Sequence, residues 1–420
     1  MKVYYTCIAV LFAFCSLLAQ TPYQTRIYQP KHIKSLQIRQ PEQLFSNPIL
    51  TLGSGEQLVF TFDDLLSNHG RYAYSIIHCD MDWNPSSLTP IEYLDGFQGL
   101  AIDDFANSMA TTTSYTNYRL YLPNEDVQFK VSGNYVLLVY LEDNPDVTVF
   151  TARFYVVEPL LQIAANVSGN TNIDTYQQHQ QLSFALQTKQ FRITYPQSDL
   201  KVRVTQNNRE DNAVTDIQPS TILGDKIIYE NIRSLIFPAG NEYRRMEFLS
   251  NKYNGMRVEN ISFHRPFYHV TLLKDYSSAL GTYEYDEDQD GRYFINCSGC
   301  SDPDTEADYY FVHFTLAMPL VKDGKIYLQG EAFDDLPLED REMIYNPDTR
   351  EYEVSVLLKQ GNYNYQYIYV KDGETRGITA PVEGDYHQTE NEYSIYVYYR
   401  PIGARYDRLV GISTLISKQQ

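Results

Sequence analysis

The chain has 420 residues, with 53 Asp and Glu against 34 Lys and Arg, a formal net charge of −19. That balance repels nucleic acid and anionic lipid headgroups, so neither is expected as a partner. Five cysteines are too few for a disulfide framework, and 38 tyrosines beside one tryptophan predict pleated, aromatic-rich packing.

The first element is an apolar run from Ile8 to Leu18, broken only by Ser16, which follows Met1-Lys2 and ends in "SLLAQ". It is too short to span a bilayer, and it predicts a secretory signal peptide over residues 1–19, cut after Ala19. Bulky Phe14 directly before Cys15 argues against lipid attachment at that cysteine. An exported chain is expected, in which Cys79, Cys297 and Cys300 remain.

Two-residue alternation then dominates. In "EQLVFTFDDL", Leu58, Phe60 and Phe62 share one face, and "GNYVLLVYLED" is a continuous apolar run suited to a strand buried on both sides. "VTVFTARFYVVEP" follows a turn at Asp143-Asn144-Pro145 and closes a hairpin. Closely spaced strands of this kind predict a β-sandwich over residues 20–158. The middle region, 159–275, offers "QLSFALQT", "KVRVTQNN", "KIIYENI" and "MEFLSNKYN" as strands of a second sandwich.

An acidic connecting segment, 276–306, feeds a strong strand from Tyr309 to Leu316. A third, Ig-like sandwich is placed at 307–400, with a tail over 401–420. In "EYEVSVLLKQGNYNYQYIYVKDG", Tyr352, Val354, Val356 and Leu358 share one face, and Gly361-Asn362 predicts a hairpin turn. On the strand that follows, Tyr363, Tyr365, Tyr367 and Tyr369 point the same way, a stripe that reads first as half core and second as a binding platform. The fold class predicted is all-β, with tandem Ig-like β-sandwich domains.

Three stretches carry residues with chemistry. In "SIIHCDMDWNPSSL", period two puts Ile77, Cys79, Met81 and Trp83 on one face, and Ile76, His78, Asp80 and Asp82 on the other. Cys79 in an apolar row is a small hydrophobe. His78, Asp80 and Asp82 could offer metal ligands, but alternate strand residues lie about 7 Å apart, wide for one small ion. A zinc site would also want a further ligand from distant His69, His264 or His269. A polar strand edge running into a turn at Asn84-Pro85 is expected instead.

"DEDQDG" opens like a calcium loop, with Asp286, Asp288 and Asp290 as candidate ligands, yet the position of the closing acid holds Cys297. An acidic turn is the preferred reading. "CSGC", Cys297 to Cys300, has redox spacing without the helix a redox site needs, so a local disulfide or two free thiols are expected. "LGSGEQL" leads into a strand rather than a helix, and no Gly-x-Ser-x-Gly elbow is present. No cofactor and no enzymatic activity are expected.

Five segments, "NPILTLGSGEQLVFTFDDL", "YSIIHCDMDWNPSSLTPIEYLDGF", "YTNYRLYLPNEDVQFKVSGNYVLLVY", "LLKQGNYNYQYIYV" and "YHQTENEYSIYVYYRPIGARYDRLVG", together resemble the type IX secretion system plug protein family. The likeness runs from about Ile33 to Gly411. It implies a periplasmic protein on the inner face of the outer membrane, attached through protein contact only. Its partner would be the large outer-membrane β-barrel translocon protein of that system, whose periplasmic opening it would seal. In the family the stretch from His78 to Trp83 looks like a signature without a catalytic role, which implies packing first and docking second, with Trp83 as an anchor and Asp80 and Asp82 as turn formers or interface acceptors.

A second resemblance covers "KIYLQGEAFDD" through "GNYNYQYIYVKDG", which is similar to the Ig-like glycan-binding modules of starch-active enzymes. Those modules carry a tryptophan soon after the Gly-x-Phe element, where this chain has Leu336. The resemblance implies the fold without the sugar-stacking residue. A periplasmic or cell-surface glycan-binding protein, with the tyrosine stripe as an exposed platform, is the alternative function.

Overall fold

The computed structural model describes residues 31–66, 70–334 and 336–417; the predicted signal peptide and His69 lie outside them. The described chain is nearly all β. Its first sandwich sets a four-stranded sheet, Ile33–Arg39, Leu58–Asp64, Thr116–Leu122 and Phe105–Asn107 in that spatial order, against a five-stranded one. The second sheet runs Ile49–Thr51, Asn144–Val157, Gly133–Leu141, Tyr72–Cys79 and Leu100–Ala101.

Leu58, Phe60 and Phe62 point into the core between these sheets, where Phe62 meets Phe150 at a ring separation of 4.9 Å and stacks on Tyr118 at 5.0 Å. Gly133–Leu141 and Asn144–Val157 form the predicted hairpin. The former is buried along most of its length, because an inner strand with both faces covered needs apolar residues at every position.

The second sandwich is discontinuous in sequence. One sheet is built on His179–Gln187, flanked by Gln162–Ser168 and Lys226–Tyr229. Its facing sheet holds Leu200–Gln206, Glu392–Tyr399 and Arg408–Ile416, and Leu182, Phe184, Val202, Tyr229 and Ile395 fill the core between them. Residues 392–416, expected as the end of a third sandwich (307–400) and a tail (401–420), therefore complete the middle one. Seven consecutive pairs join Leu200–Gln206 to the distant strand, a partnership that leaves no local mark in either segment.

The third sandwich begins earlier than expected. Arg244–Phe248, read from sequence as part of the 159–275 sandwich, pairs with Gly361–Lys371, and the hairpin of Val258–His264 with Phe267–Leu272 lies beside Tyr309–Ala317. The acidic segment 276–306 is not only a connector: Tyr293–Ile295 adds to the edge of Gly361–Lys371.

The hairpin expected at Gly361-Asn362 does not form. Glu351–Lys359 pairs with Glu342–Asn346 and Tyr309–Ala317, whereas Gly361–Lys371 pairs with Gly324–Gln329 and Arg244–Phe248. The chain crosses at Gln360 from one layer to the layer facing it, and Phe314 meets Tyr365 across the shared core at 5.2 Å. Gly361 does not take the left-handed backbone that a two-residue hairpin requires. A Cβ there would lie 2.4 Å from the carbonyl oxygen of Phe294, so this glycine serves the close approach of a neighbouring strand.

Candidate functional site

The stretch His78–Trp83 lies where the first sandwich meets the second. Strand Tyr72–Cys79 ends in a tight turn held by Asp80, whose Oδ1 accepts from the amides of Asp82 at 3.0 Å and Asn84 at 2.9 Å. Trp83 occupies the left-handed position of this turn, φ 66°. Asp80 is thus a turn former, and Asp82 points to solvent.

His78 is not on a polar strand edge, and here the sequence reading is corrected. Its face of the strand turns inward with Ile76, and His78 is 1% exposed. The rings of Tyr93, Tyr135 and Tyr406 surround it at 5.0–5.7 Å. Its Nδ1 shares a 2.8 Å hydrogen bond with the Ser86 hydroxyl, and Nε2 lies 3.3 Å from the Ser132 carbonyl. Burial pulls its pKa below the ordinary histidine value, so the ring is held neutral as a hydrogen-bonded core residue. Period two separates the faces of a strand without saying which is inside. Here both are covered.

The outer side of the turn carries the joint. Met81 is buried with Tyr155, Tyr396, Tyr398 and Leu409, and its amide donates to Asp407 Oδ2 at 3.0 Å. Lys201 pairs with the other oxygen of Asp407 at 3.1 Å. Asn134 clamps the same turn: its amide nitrogen donates to the Asp80 carbonyl at 3.0 Å, and its oxygen accepts from Tyr398 at 2.7 Å. Trp83 packs edge-on against Tyr155 at 5.2 Å, Tyr155 stacks on Tyr396 at 4.6 Å, and the Arg153 guanidinium sits 4.7 Å over the indole. Arg153 and Arg203 share Glu210 at 3.3 and 2.7 Å. Sequence reasoning singled out Trp83 but not Asn134, Asp407 or Tyr398. The only signal for the last two lay in the segment "YVYYRPIGARYDRLVG".

A second joint ties the first sandwich to the third. Lys359 and Asp63, 2% and 0% exposed, pair at 2.6 Å. Asp63 also accepts from Tyr309 at 2.6 Å and Asn117 at 2.8 Å. Beside them Asp308 accepts from the backbone amides of Thr112 and Thr113.

The tyrosine stripe is core, not platform. Tyr363, Tyr365 and Tyr367 are at most 1% exposed and Tyr369 is 8% exposed. Tyr365 and Tyr367 both donate to Asp275 Oδ2, at 2.9 and 2.7 Å, and Asp275 is itself paired with Arg244 and Arg257. The exposed sugar-stacking surface that the alternative function needed is absent from this strand.

The acidic turn is organised by backbone contacts. Asp286 pairs with Arg245 at the surface, Asp288 accepts from the amides of Tyr243 and Asp290, and Asp290 lies 3.9 Å from Arg292. Burial pushes both Asp288 and Asp290 up to about 7. Among the described residues no three His, Cys, Asp or Glu side chains come together as a metal site. Cys297 and Cys300 are disulfide-bonded. Cys79 is a buried free thiol, pushed up to about 12 by desolvation.

The first sandwich has a counterpart among known families. The model of the type 9 secretion system plug protein first domain matches residues 33–158. The crystal structure of a hypothetical protein from Parabacteroides merdae ATCC 43184 is 60% identical, with 95% of this chain and 100% of that chain covered and a TM-score of 0.92. A partial N-terminal region of an enterococcal surface protein, 7% identical over 96% of this chain and 97% of that chain, has a TM-score of 0.20 and carries no argument. No curated protein matches the chain. The match spans the sandwich that holds the His78–Trp83 turn and both of its joints, and the chain belongs to the type IX secretion system plug protein family.

Proposed function

We propose that this envelope-associated plug protein acts through its surface rather than through catalysis. It docks from the periplasm on the outer-membrane β-barrel translocon of the type IX system and seals the barrel's periplasmic opening. The observation that carries this reading is the match of residues 33–158 to the plug first domain. The two joints support it, because an obstruction must resist deformation. The buried Asp63–Lys359 pair holds the first sandwich against the third, and the Arg153–Glu210 pair with the Trp83–Tyr155–Tyr396 rings holds it against the second.

The test is affinity capture of the tagged protein from its native, detergent-solubilised envelope, with co-purified chains identified by mass spectrometry. A very large outer-membrane barrel recovered at near-equal amount is the expected result. Capture that repeatedly lacks such a barrel would overturn the docking reading. Sealing is tested separately by conductance of the reconstituted complex, which should rise when the plug is stripped away.

A further inference from the structure

The third sandwich reaches the second through a short strand, Gly377–Ile378, which pairs with Gly361–Lys371. An ion pair of the second sandwich holds it there: Arg209 meets Asp211 at 2.7 Å, with side chains 7% and 2% exposed. Arg209 also donates to the Gly377 carbonyl at 2.8 Å, and Asp211 accepts from the Gly377 amide at 2.8 Å. Both backbone groups of Gly377 are fixed, and with them the positions of Arg376 and Ile378 on either side.

Arg376 and Ile378 line an open pocket of about 340 Å³. That volume lies within the range of small-molecule sites, roughly 300–1,000 Å³. The second sandwich lines it with Ile173, His179, Arg233 and Ile236. Both arginines, Ile173 and Ile378 are exposed, so a molecule in the pocket can touch them.

Two guanidiniums thus line one pocket on a chain whose formal net charge is −19. Among the described residues neither has a hydrogen-bond or ion-pair partner, and the acids nearby are already engaged. Asp211 holds Arg209, and Asp174 holds His179 Nδ1 at 2.7 Å. Partial burial and the Arg209 charge together pull the Arg376 pKa below the ordinary arginine value, against the opposing pull of Asp211. Like charges gathered without an acid between them repel, and an anion placed there removes the repulsion.

The chemistry of the lining narrows the ligand. A cation would be repelled, and a neutral molecule would leave both charges uncompensated. A bare inorganic anion would leave the isoleucines in water. The planar guanidinium fork matches carboxylate and phosphate oxygens, and the isoleucines suit an apolar body beside such a group.

We propose that this pocket binds a small organic anion, a carboxylate or phosphate carried on an apolar body. Arg376 and Arg233 hold the anionic group, and Ile173, Ile236 and Ile378 cover the body. Because the two arginines come from different sandwiches, the bound anion ties the third to the second. The site is independent of the translocon-docking reading and stands or falls without it.

The experiment is calorimetric titration of the full exported chain with sodium hexanoate and hexyl phosphate, beside inorganic phosphate, hexanol and hexylammonium chloride. Wild type is compared with Arg376→Gln and Arg233→Gln, whose side chains have no partner to lose, so both should keep the wild-type melting temperature. The expected result is one-to-one binding of hexanoate or hexyl phosphate, weakened about tenfold or more by either substitution, the loss of a charged hydrogen bond. The tighter of the two identifies the anionic group. Four results would overturn the proposal: no binding of either organic anion by wild type into the tens-of-millimolar range, hexanol or hexylammonium bound as tightly as the anions, inorganic phosphate bound as tightly as hexyl phosphate, or anion binding that both substitutions leave unchanged.

Discussion

Lys359 and Asp63 meet at 2.6 Å although 296 residues separate them, and both are out of water. Burial of this kind costs several kcal/mol per ion and is tolerated only where every remaining hydrogen-bonding position is filled. Here Tyr309 and Asn117 complete the carboxylate, and the Asp304 carbonyl accepts a second proton of the ammonium at 2.7 Å. Desolvation raises the pKa of Asp63, while Lys359, Tyr309 and Asn117 oppose the rise. The pair therefore registers the first sandwich against the third.

Removing one partner should cost far more than removing both. Lys359→Met leaves a buried carboxylate without its counter-charge and is expected to destabilise by about 3–5 kcal/mol. Adding Asp63→Asn should restore most of that loss. Urea unfolding of the two single variants and the double variant checks this; a double variant as weak as Lys359→Met would mean that packing, not charge, is at stake.

Asp407→Ala tests the joint at the His78–Trp83 turn. It deprives the Met81 amide and Lys201 of their acceptor, at an expected cost of about 2–4 kcal/mol. Hydrogen exchange should quicken at the Met81 amide and along residues 80–84. The Asp63–Lys359 joint should keep its protection.

Tyr365→Phe and Tyr367→Phe each take a donor from Asp275 Oδ2. Each should lower stability by about 1–3 kcal/mol, the cost of leaving a buried acceptor short of a partner. Neither should alter retention on a polysaccharide column, since both rings lie inside the core. A change in retention without a change in melting temperature would contradict the buried placement of the stripe.

Three acids between the second and third sandwiches predict a pH dependence. Glu242, Asp288 and Asp290 are each pushed up to about 7, chiefly by burial, from ordinary values of 4.5 and 3.8. Their folded-state pKa values are raised, so the stabilisation is complete below about pH 4 and is lost as pH rises through about 7. His78, His269 and His313 have lowered values and act in the opposite direction, so the comparison is with a variant. Asp290→Asn should be more stable than wild type by about 1–3 kcal/mol near pH 8, with the gap closing near pH 5. Parallel melting curves of the two proteins across that range would rule the effect out.

Part of the site is legible in the sequence because its chemistry is local. Asp80 bonds amides two and four residues ahead, so "DMDWN" can be read as a turn directly. The Asn134–Tyr398 and Met81–Asp407 contacts bridge 264 and 326 residues, and neither side of such a contact carries a pattern that names the other. The same limit hid Asp63–Lys359.

Strand character, the shared face of Leu58, Phe60 and Phe62, the both-faces-buried run of Gly133–Leu141 and the all-β class are written in local pattern, because they depend on side chains one and two positions apart. That 392–416 completes the second sandwich, that Gly361 marks a crossing between layers, and that His78 and the tyrosine stripe face inward emerges from the assembled fold alone. The reason is physical: a strand's pattern states how its two faces differ, while its partner, and the layer that covers each face, are settled by packing between segments hundreds of residues apart.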